Sequence, residues 1–113
     1  MHELSLAVAL VEQVGEICRK ERAERALRIE VVVGALSGVE RDPLEFCFPL
    51  AAENTVAAGA TLVVEEVPVT LACRACGERT RPEVPFIRCM ACGSTNVEVV
   101  EGRDFLIKTV EVI

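Results

Sequence analysis

Apolar residues recur at spacings of three and four from Leu4 to about Arg22. Leu6, Leu10, Val14 and Ile17 form one row, with Ala7, Val11 and Cys18 beside it. That period predicts a single amphipathic helix with one face for a core. Arg19, Lys20 and Arg22 then place positive charge near the carbonyl end of the helix, where the macrodipole favours it, so this charge run needs no functional reading. The period next changes to two. Leu27, Ile29, Val31 and Val33 alternate with Arg28, Glu30 and Val32, a half-buried strand that closes at Gly34, and Gly34 to Gly38 reads as a turn. Asp42-Pro43-Leu44-Glu45 offers an N-cap, a proline at the first helical position and an acid at the third. A second helix is therefore expected to about Glu53, kinked between Glu45 and Pro49, where the proline removes an amide donor. Thr61 to Val69 predicts a strand whose far end Pro68 places at an edge or exit. Val97 to Val100 and Phe105 to Ile113 predict two more, separated by a Glu101-Gly102-Arg103-Asp104 turn.

Two knuckles interrupt this order. Cys73-Arg74-Ala75-Cys76-Gly77 and Cys89-Met90-Ala91-Cys92-Gly93 are separated by twelve residues, the arrangement of a four-thiolate zinc ribbon. A two-residue spacer lets both sulfurs of a knuckle reach one ion, and the glycine after each second cysteine permits the positive φ of a tight turn. Four thiolates leave no vacancy for water, so the ion is expected to be structural. A ribbon this small buries too little surface to fold alone, and metal binding supplies roughly 10 to 16 kcal/mol of apparent folding free energy in such sites. Arg74, Arg79, Arg81 and Arg88 against Glu78 and Glu83 give the segment positive charge to set against the −2 of a zinc tetrathiolate. A redox dithiol, a pair of disulfides and an iron centre are the alternatives at these residues. Cys18 and Cys47 lie among apolar neighbours on predicted helices and read as core residues.

Composition narrows the function. The 113 residues are 51% apolar with four Phe and neither Trp nor Tyr, which predicts one aliphatic core and a small appendage. Eighteen acidic residues against twelve basic ones leave a net charge of −6, a poor match for nucleic acid or anionic lipid. Met1-His2-Glu3 is not a basic leader, and Glu12 ends the apolar stretch from Leu4. Neither an export signal nor a membrane span is expected, and the reading is a cytoplasmic protein with reduced cysteines.

The one histidine is His2. The Met1 α-amine, the His2 amide and the His2 imidazole lie in one short stretch able to chelate a metal, and nitrogen donors in a tetragonal plane suit Ni(II) or Cu(II). The Glu3 amide or carboxylate could add a donor. Chance placement after the initiator, with Glu3 favouring the helix start, is the other reading of these residues.

Met1-His2-Glu3-Leu4-Ser5-Leu6, Gly34-Ala35-Leu36-Ser37-Gly38-Val39, Ala57-Ala58-Gly59-Ala60-Thr61-Leu62, the two knuckles and the final strand together resemble the HypA/HybF family over essentially the whole chain. These are nickel-insertion accessory proteins of hydrogenase maturation. The resemblance implies Ni(II) as cargo at Met1, His2 and Glu3, and structural Zn(II) at Cys73, Cys76, Cys89 and Cys92. It also implies a HypB-type GTPase and the [NiFe]-hydrogenase large-subunit precursor as partners, with a homodimer possible, and no catalysis. Asn54 and Met90 depart from residues common in the family without removing a ligand, and with no histidine in the ribbon the fourth nickel donor stays open.

With the element order, the resemblance implies an α+β fold: two helices packed on a small β-sheet, with the four-cysteine ribbon inserted. Residues 1–69 plus 102–113 would form the nickel-binding domain and 70–101 the zinc ribbon, movable about segments near Pro68 and Gly102. A zinc-ribbon interaction module without nickel transfer, or a dithiol redox protein, are the competing functions. The first would not need His2, and the second would need accessible, metal-free thiols.

Overall fold

The computed structural model describes residues 2–113, with Met1 and the His2 side chain outside the described residues. Helix α1 spans His2–Glu21 and buries Ala7, Leu10, Val11, Val14 and Cys18, while Leu6 and Ile17 of the expected row are only half-buried at its edge. It ends without a glycine. Arg22 takes the left-handed conformation at φ 53°, Ala23 N–H donates to Cys18 O at 2.8 Å, and Arg22 N–H donates to Arg19 O at 3.3 Å. This is the Schellman pattern, with Ala23 seated against the core beside Cys18.

Strand β1 (Ala26–Gly34) is the centre of the main sheet, with order β2-β1-β6, where β2 is Thr61–Val67 and β6 is Phe105–Val112. β2 runs parallel to β1, so the chain must cross over between them, and helix α2 (Arg41–Ala52) makes the crossing. β6 returns antiparallel on the other side of β1, pairing Val31 with Ile107 and Ala26 with Val112. Helix and sheet close on one core. Ile29, Val31, Val33 and Val64 from the sheet meet Leu44, Cys47, Phe48 and Ala52 from α2 and the buried face of α1. Cys18 and Cys47 are both buried here, as their apolar neighbours suggested.

One expectation for α2 needs correction. Its N-cap is Glu40, in extended conformation and without a side-chain cap, rather than Asp42. Leu44 N–H donates to Glu40 O at 3.2 Å, which makes Pro43 the third helical residue. Proline is tolerated there because the amides of the first turn have no intrahelical acceptor to lose. The helix continues through Pro49 to Ala52, with Glu53 as its C-cap, close to its expected end.

The outer face of the sheet is polar and ion-paired. Arg28 bridges Glu30 at 2.9 Å and Glu111 at 3.4 Å, Lys108 reaches Glu65 at 2.8 Å, and the Thr109 hydroxyl donates to Glu30 at 2.7 Å. The Thr109 hydroxyl first, then the Arg28 guanidinium, holds the Glu30 carboxyl below the ordinary carboxylate range. A depressed folded-state pKa contributes stability above the unfolded value and loses it as pH falls through the folded one. Thr109→Val is expected to move the Glu30 titration upward in carboxyl-carbon NMR. An unmoved titration would show that the hydroxyl does not hold it.

A second sheet, order β4-β3-β5, belongs to the cysteine segment: β3 is Thr70–Cys73, β4 Arg79–Thr80 and β5 Val97–Glu101. Of these only β5 was expected from the pattern. Val69, Leu71, Cys73 and Cys89 are buried here, yet none of them joins the main core. The molecule thus has two separate interiors.

Candidate metal centre

Each knuckle is a closed turn with the same hydrogen bonds. Gly77 N–H donates to Cys73 O at 3.0 Å and Cys73 N–H to Glu78 O at 3.0 Å. In the second knuckle Gly93 N–H donates to Cys89 O at 2.8 Å and Cys89 N–H to Ser94 O at 2.9 Å. Gly77 and Gly93 have φ of 80° and 78°, the left-handed conformation that the motif's glycine was expected to supply. β3 carries the first knuckle and is held on both sides, Ala72 opposite Arg79 of β4 and Cys73 opposite Val97 of β5. The second knuckle is tied across to β4, since Met90 N–H donates to Thr80 Oγ1 at 3.3 Å. Thr80 was not picked out from the sequence, and a two-residue strand gives no periodicity by which to find it.

The turns bring all four sulfurs together, each within 4.8 Å of the others, with Cys73 Sγ to Cys92 Sγ at 3.7 Å and Cys76 Sγ to Cys89 Sγ at 3.6 Å. Four sulfurs about 2.3 Å from a central zinc in a tetrahedron stand about 3.8 Å apart. The cluster therefore fits zinc, whereas a disulfide needs about 2.05 Å and all four cysteines are free. Cys73 and Cys89 are buried, Cys76 and Cys92 exposed.

Backbone amides already favour negative charge on the first sulfur of each knuckle. The Cys92 amide, followed by that of Ala91, brings the Cys89 thiol down to about 6 against the opposing effect of burial. The Cys76 and Ala75 amides lower Cys73 in the same way. At Cys76 the Glu78 amide lowers the value, but burial and the neighbouring sulfurs prevail and push it up to about 12. Cys92 is raised too: the Ser94 amide acts to lower it, and contact with Cys73 together with burial outweighs that. In each close sulfur pair the first cysteine of a knuckle thus ionises more readily than its neighbour, and a divalent cation displaces the remaining protons. When bound, zinc supplies the cross-link between the knuckles.

Of the residues expected for nickel only Glu3 is fully described. Glu3 lies half-buried in the first turn of α1, while Met1 and the His2 side chain lie outside the described residues.

The family model described as hydrogenase/urease nickel incorporation, metallochaperone, hypA matches residues 1–112. The hydrogenase maturation factor HypA of Chlorobium limicola is 41% identical over 112 residues, covering 99% of this chain and 97% of that relative. The factor of the same name from Nitrosospira multiformis is 35% identical, covering 100% and 98%. Among solved structures, one described as the solution structure of HypA protein superposes with a TM-score of 0.74 at 25% identity, covering 100% of this chain and 97% of that one. The solution structure of the Ni metallochaperone HypA from Helicobacter pylori shares the fold, with a TM-score of 0.72 at 24% identity over 98% and 97% of the two chains. A match across nearly the full length, together with a four-cysteine cluster of zinc geometry, assigns the chain to the HypA family of hydrogenase maturation factors, which are nickel metallochaperones.

Proposed function

We propose that the chain carries Ni(II) on a short chelate at its N-terminus, formed by the His2 imidazole with the Met1 and His2 nitrogens and a donor from Glu3, and releases it during maturation of a [NiFe]-hydrogenase. The observation that carries this reading is the family match over residues 1–112 in a chain whose single imidazole is His2. Nitrogen donors suit Ni(II), and a shallow site of few ligands suits a carrier that must let go. Cys73, Cys76, Cys89 and Cys92 hold the zinc that organises residues 70–101, while residues 1–69 with 102–113 form the nickel domain. The chain acts as a carrier rather than an enzyme. Its setting is the cytoplasm, and its partners are a HypB-type GTPase and the hydrogenase large-subunit precursor. No helix among the described residues is long and apolar enough to cross a membrane.

The test is nickel titration of untagged protein with a native amino terminus, beside His2→Ala. Imidazole and α-amine have reference pKa values of about 6.5 and about 7.7 to 8.0, so protons compete with the metal across that range. Affinity is expected to fall about 50- to 100-fold from pH 7.5 to pH 6, and the substitution should abolish the tight phase. Nickel binding indifferent to both changes would refute the chelate.

A further inference from the structure

The four sulfurs are not equally buried. Each knuckle sinks its first cysteine and shows its second: Cys73 and Cys89 are 6% and 1% exposed, whereas Cys76 and Cys92 lie open to solvent. The contacts between the knuckles cross this pattern. Exposed Cys92 stands 3.7 Å from buried Cys73, and exposed Cys76 stands 3.6 Å from buried Cys89. Each of these contacts therefore joins a sulfur that a small solute reaches to one that it does not. Inside a knuckle the arrangement differs. The turn wraps its first sulfur, which accepts an amide bond from the same turn, Cys76 N–H to Cys73 Sγ and Ala91 N–H to Cys89 Sγ, both at 3.4 Å. A sulfur–sulfur bond needs about 2.05 Å. From 3.7 Å across the knuckles, rotation of the side chains closes that gap with both turns kept, whereas a bond inside one knuckle has to rewind the turn.

From this pairing we propose that the metal centre is also a redox switch: a peroxide oxidises exposed Cys76 and Cys92, and each then closes a disulfide with the buried cysteine of the other knuckle. In the zinc-loaded centre all four sulfurs are thiolates. The Cys92 thiolate takes one oxygen of the peroxide and becomes a sulfenic acid, while the other oxygen leaves as hydroxide. The Cys73 thiolate attacks the sulfenic sulfur, the S–S bond forms and a second hydroxide leaves. Two thiolates have then given two electrons to one peroxide, and the hydroxides take two protons from solvent to become water. A second peroxide does the same at Cys76, with Cys89 as the resolving thiolate. The ion is held by thiolate and not by disulfide sulfur, so zinc leaves. Covalent bonds replace it between the same two turns. Oxidation and chelation thus give different products: a chelated ribbon has nothing across its knuckles, whereas an oxidised one stays stapled. Cys18 and Cys47, in the main core at 2% and 5% exposure, are out of reach of the oxidant, so the helices and main sheet keep their fold. The proposal rests on the zinc centre and does not depend on the nickel chelate.

The experiment treats the zinc-loaded full chain, dilute and free of thiol reductant, with hydrogen peroxide. Zinc is expected to pass to a chromogenic chelator, with complete loss at about two peroxides per chain. Digestion without reduction, followed by mass spectrometry, should find Cys73 joined to Cys92 and Cys76 joined to Cys89, with Cys18 and Cys47 still thiols. In NMR spectra the amides of Leu71, Ala72, Val97 and Val99 should stay dispersed after oxidation, and dithiothreitol with zinc should restore the native spectrum. Serine at a ligand position is expected to unfold the ribbon, so the first step is tested on the native chain. Dimedone present during oxidation should label Cys76 and Cys92 and leave Cys73 and Cys89 unlabelled. Disulfides within a knuckle or between chains, labelling of the buried pair, ribbon amides that collapse on oxidation, or zinc retained against excess peroxide would each overturn the proposal.

Discussion

Stripping zinc from the protein is expected to unfold residues 70–101 while the two helices and the main sheet stay folded. The reason is the division of the interior. The fifteen buried residues of the main core come from α1, β1, α2, the loop at Ala57 and β2, and none lies between 70 and 101. The ribbon's own interior is little more than Leu71 and the two first-position cysteines, beside Val69 and Pro82. Burying one or two aliphatic side chains is worth about 1.5 to 3 kcal/mol each, while ordering even ten residues of backbone costs about 10 to 20 kcal/mol. Only the ion closes that gap, with roughly 10 to 16 kcal/mol of apparent binding free energy. In NMR spectra, chelation should collapse the dispersed amides of Leu71, Ala72, Val97 and Val99 and leave those of Ile29, Val31 and Ile107 in place. Cys89→Ser should do the same without chelator. Loss of the helical signal together with the ribbon amides would show one cooperative unit instead of two.

The metal centre was the most legible feature in the sequence because its chemistry is written in the local spacing. Two sulfurs three residues apart and a glycine after the second need no information from elsewhere in the chain. Helix α1 and strands β1 and β6 were legible for a related reason: each is long enough to show its period against a core on one side. β3 and β4 were not. Strands of four and two residues have no readable alternation, and their positions follow from pairing around the knuckles. The start of α2 was misread because Asp42 has the chemistry of a cap, whereas the position of the cap follows from where the chain leaves the turn after β1. Exposure of Phe46 and Phe86 was equally hidden. A phenylalanine is apolar wherever it stands, and only packing reveals which ones the core leaves out.

Gly34→Ala should cost about 2 to 4 kcal/mol in urea unfolding, more than alanine at either knuckle-free turn glycine, Gly38 or Gly59. Gly34 has no unusual φ, so neither its position at the end of β1 nor its conformation marks it. Its role is contact. A Cβ placed there would lie 2.3 Å from Gly102 O and 2.4 Å from Gly102 C, both backbone atoms that cannot swing away. Gly102 in turn has φ 103°, and a Cβ on it would fall 2.8 Å from Val69 Cα. Around these glycines the turn after β1 binds both strands of chain that lead to the ribbon. Ala35 N–H donates to Val67 O at 2.9 Å, Leu36 N–H to Gly102 O at 2.7 Å, and Gly34 N–H to Asp104 O at 2.7 Å. The segments near Pro68 and Gly102, where the ribbon was expected to move, are thus fastened side by side. An alanine methyl must push them apart by about an ångström and break at least one of these bonds, a loss of about 1 kcal/mol or more beyond the steric strain. Gly38 and Gly59 have φ of 81° and 76° and open space around them, so alanine there costs only the left-handed conformation, about 1 to 2 kcal/mol. Hydrogen exchange gives the sharper reading. The Leu36 amide should lose protection in Gly34→Ala while zinc content is unchanged, because the knuckles are built from their own hydrogen bonds. Equal costs at Gly34 and Gly38, with the Leu36 amide still protected, would mean that the backbone contact yields freely and does not fasten the ribbon to the body.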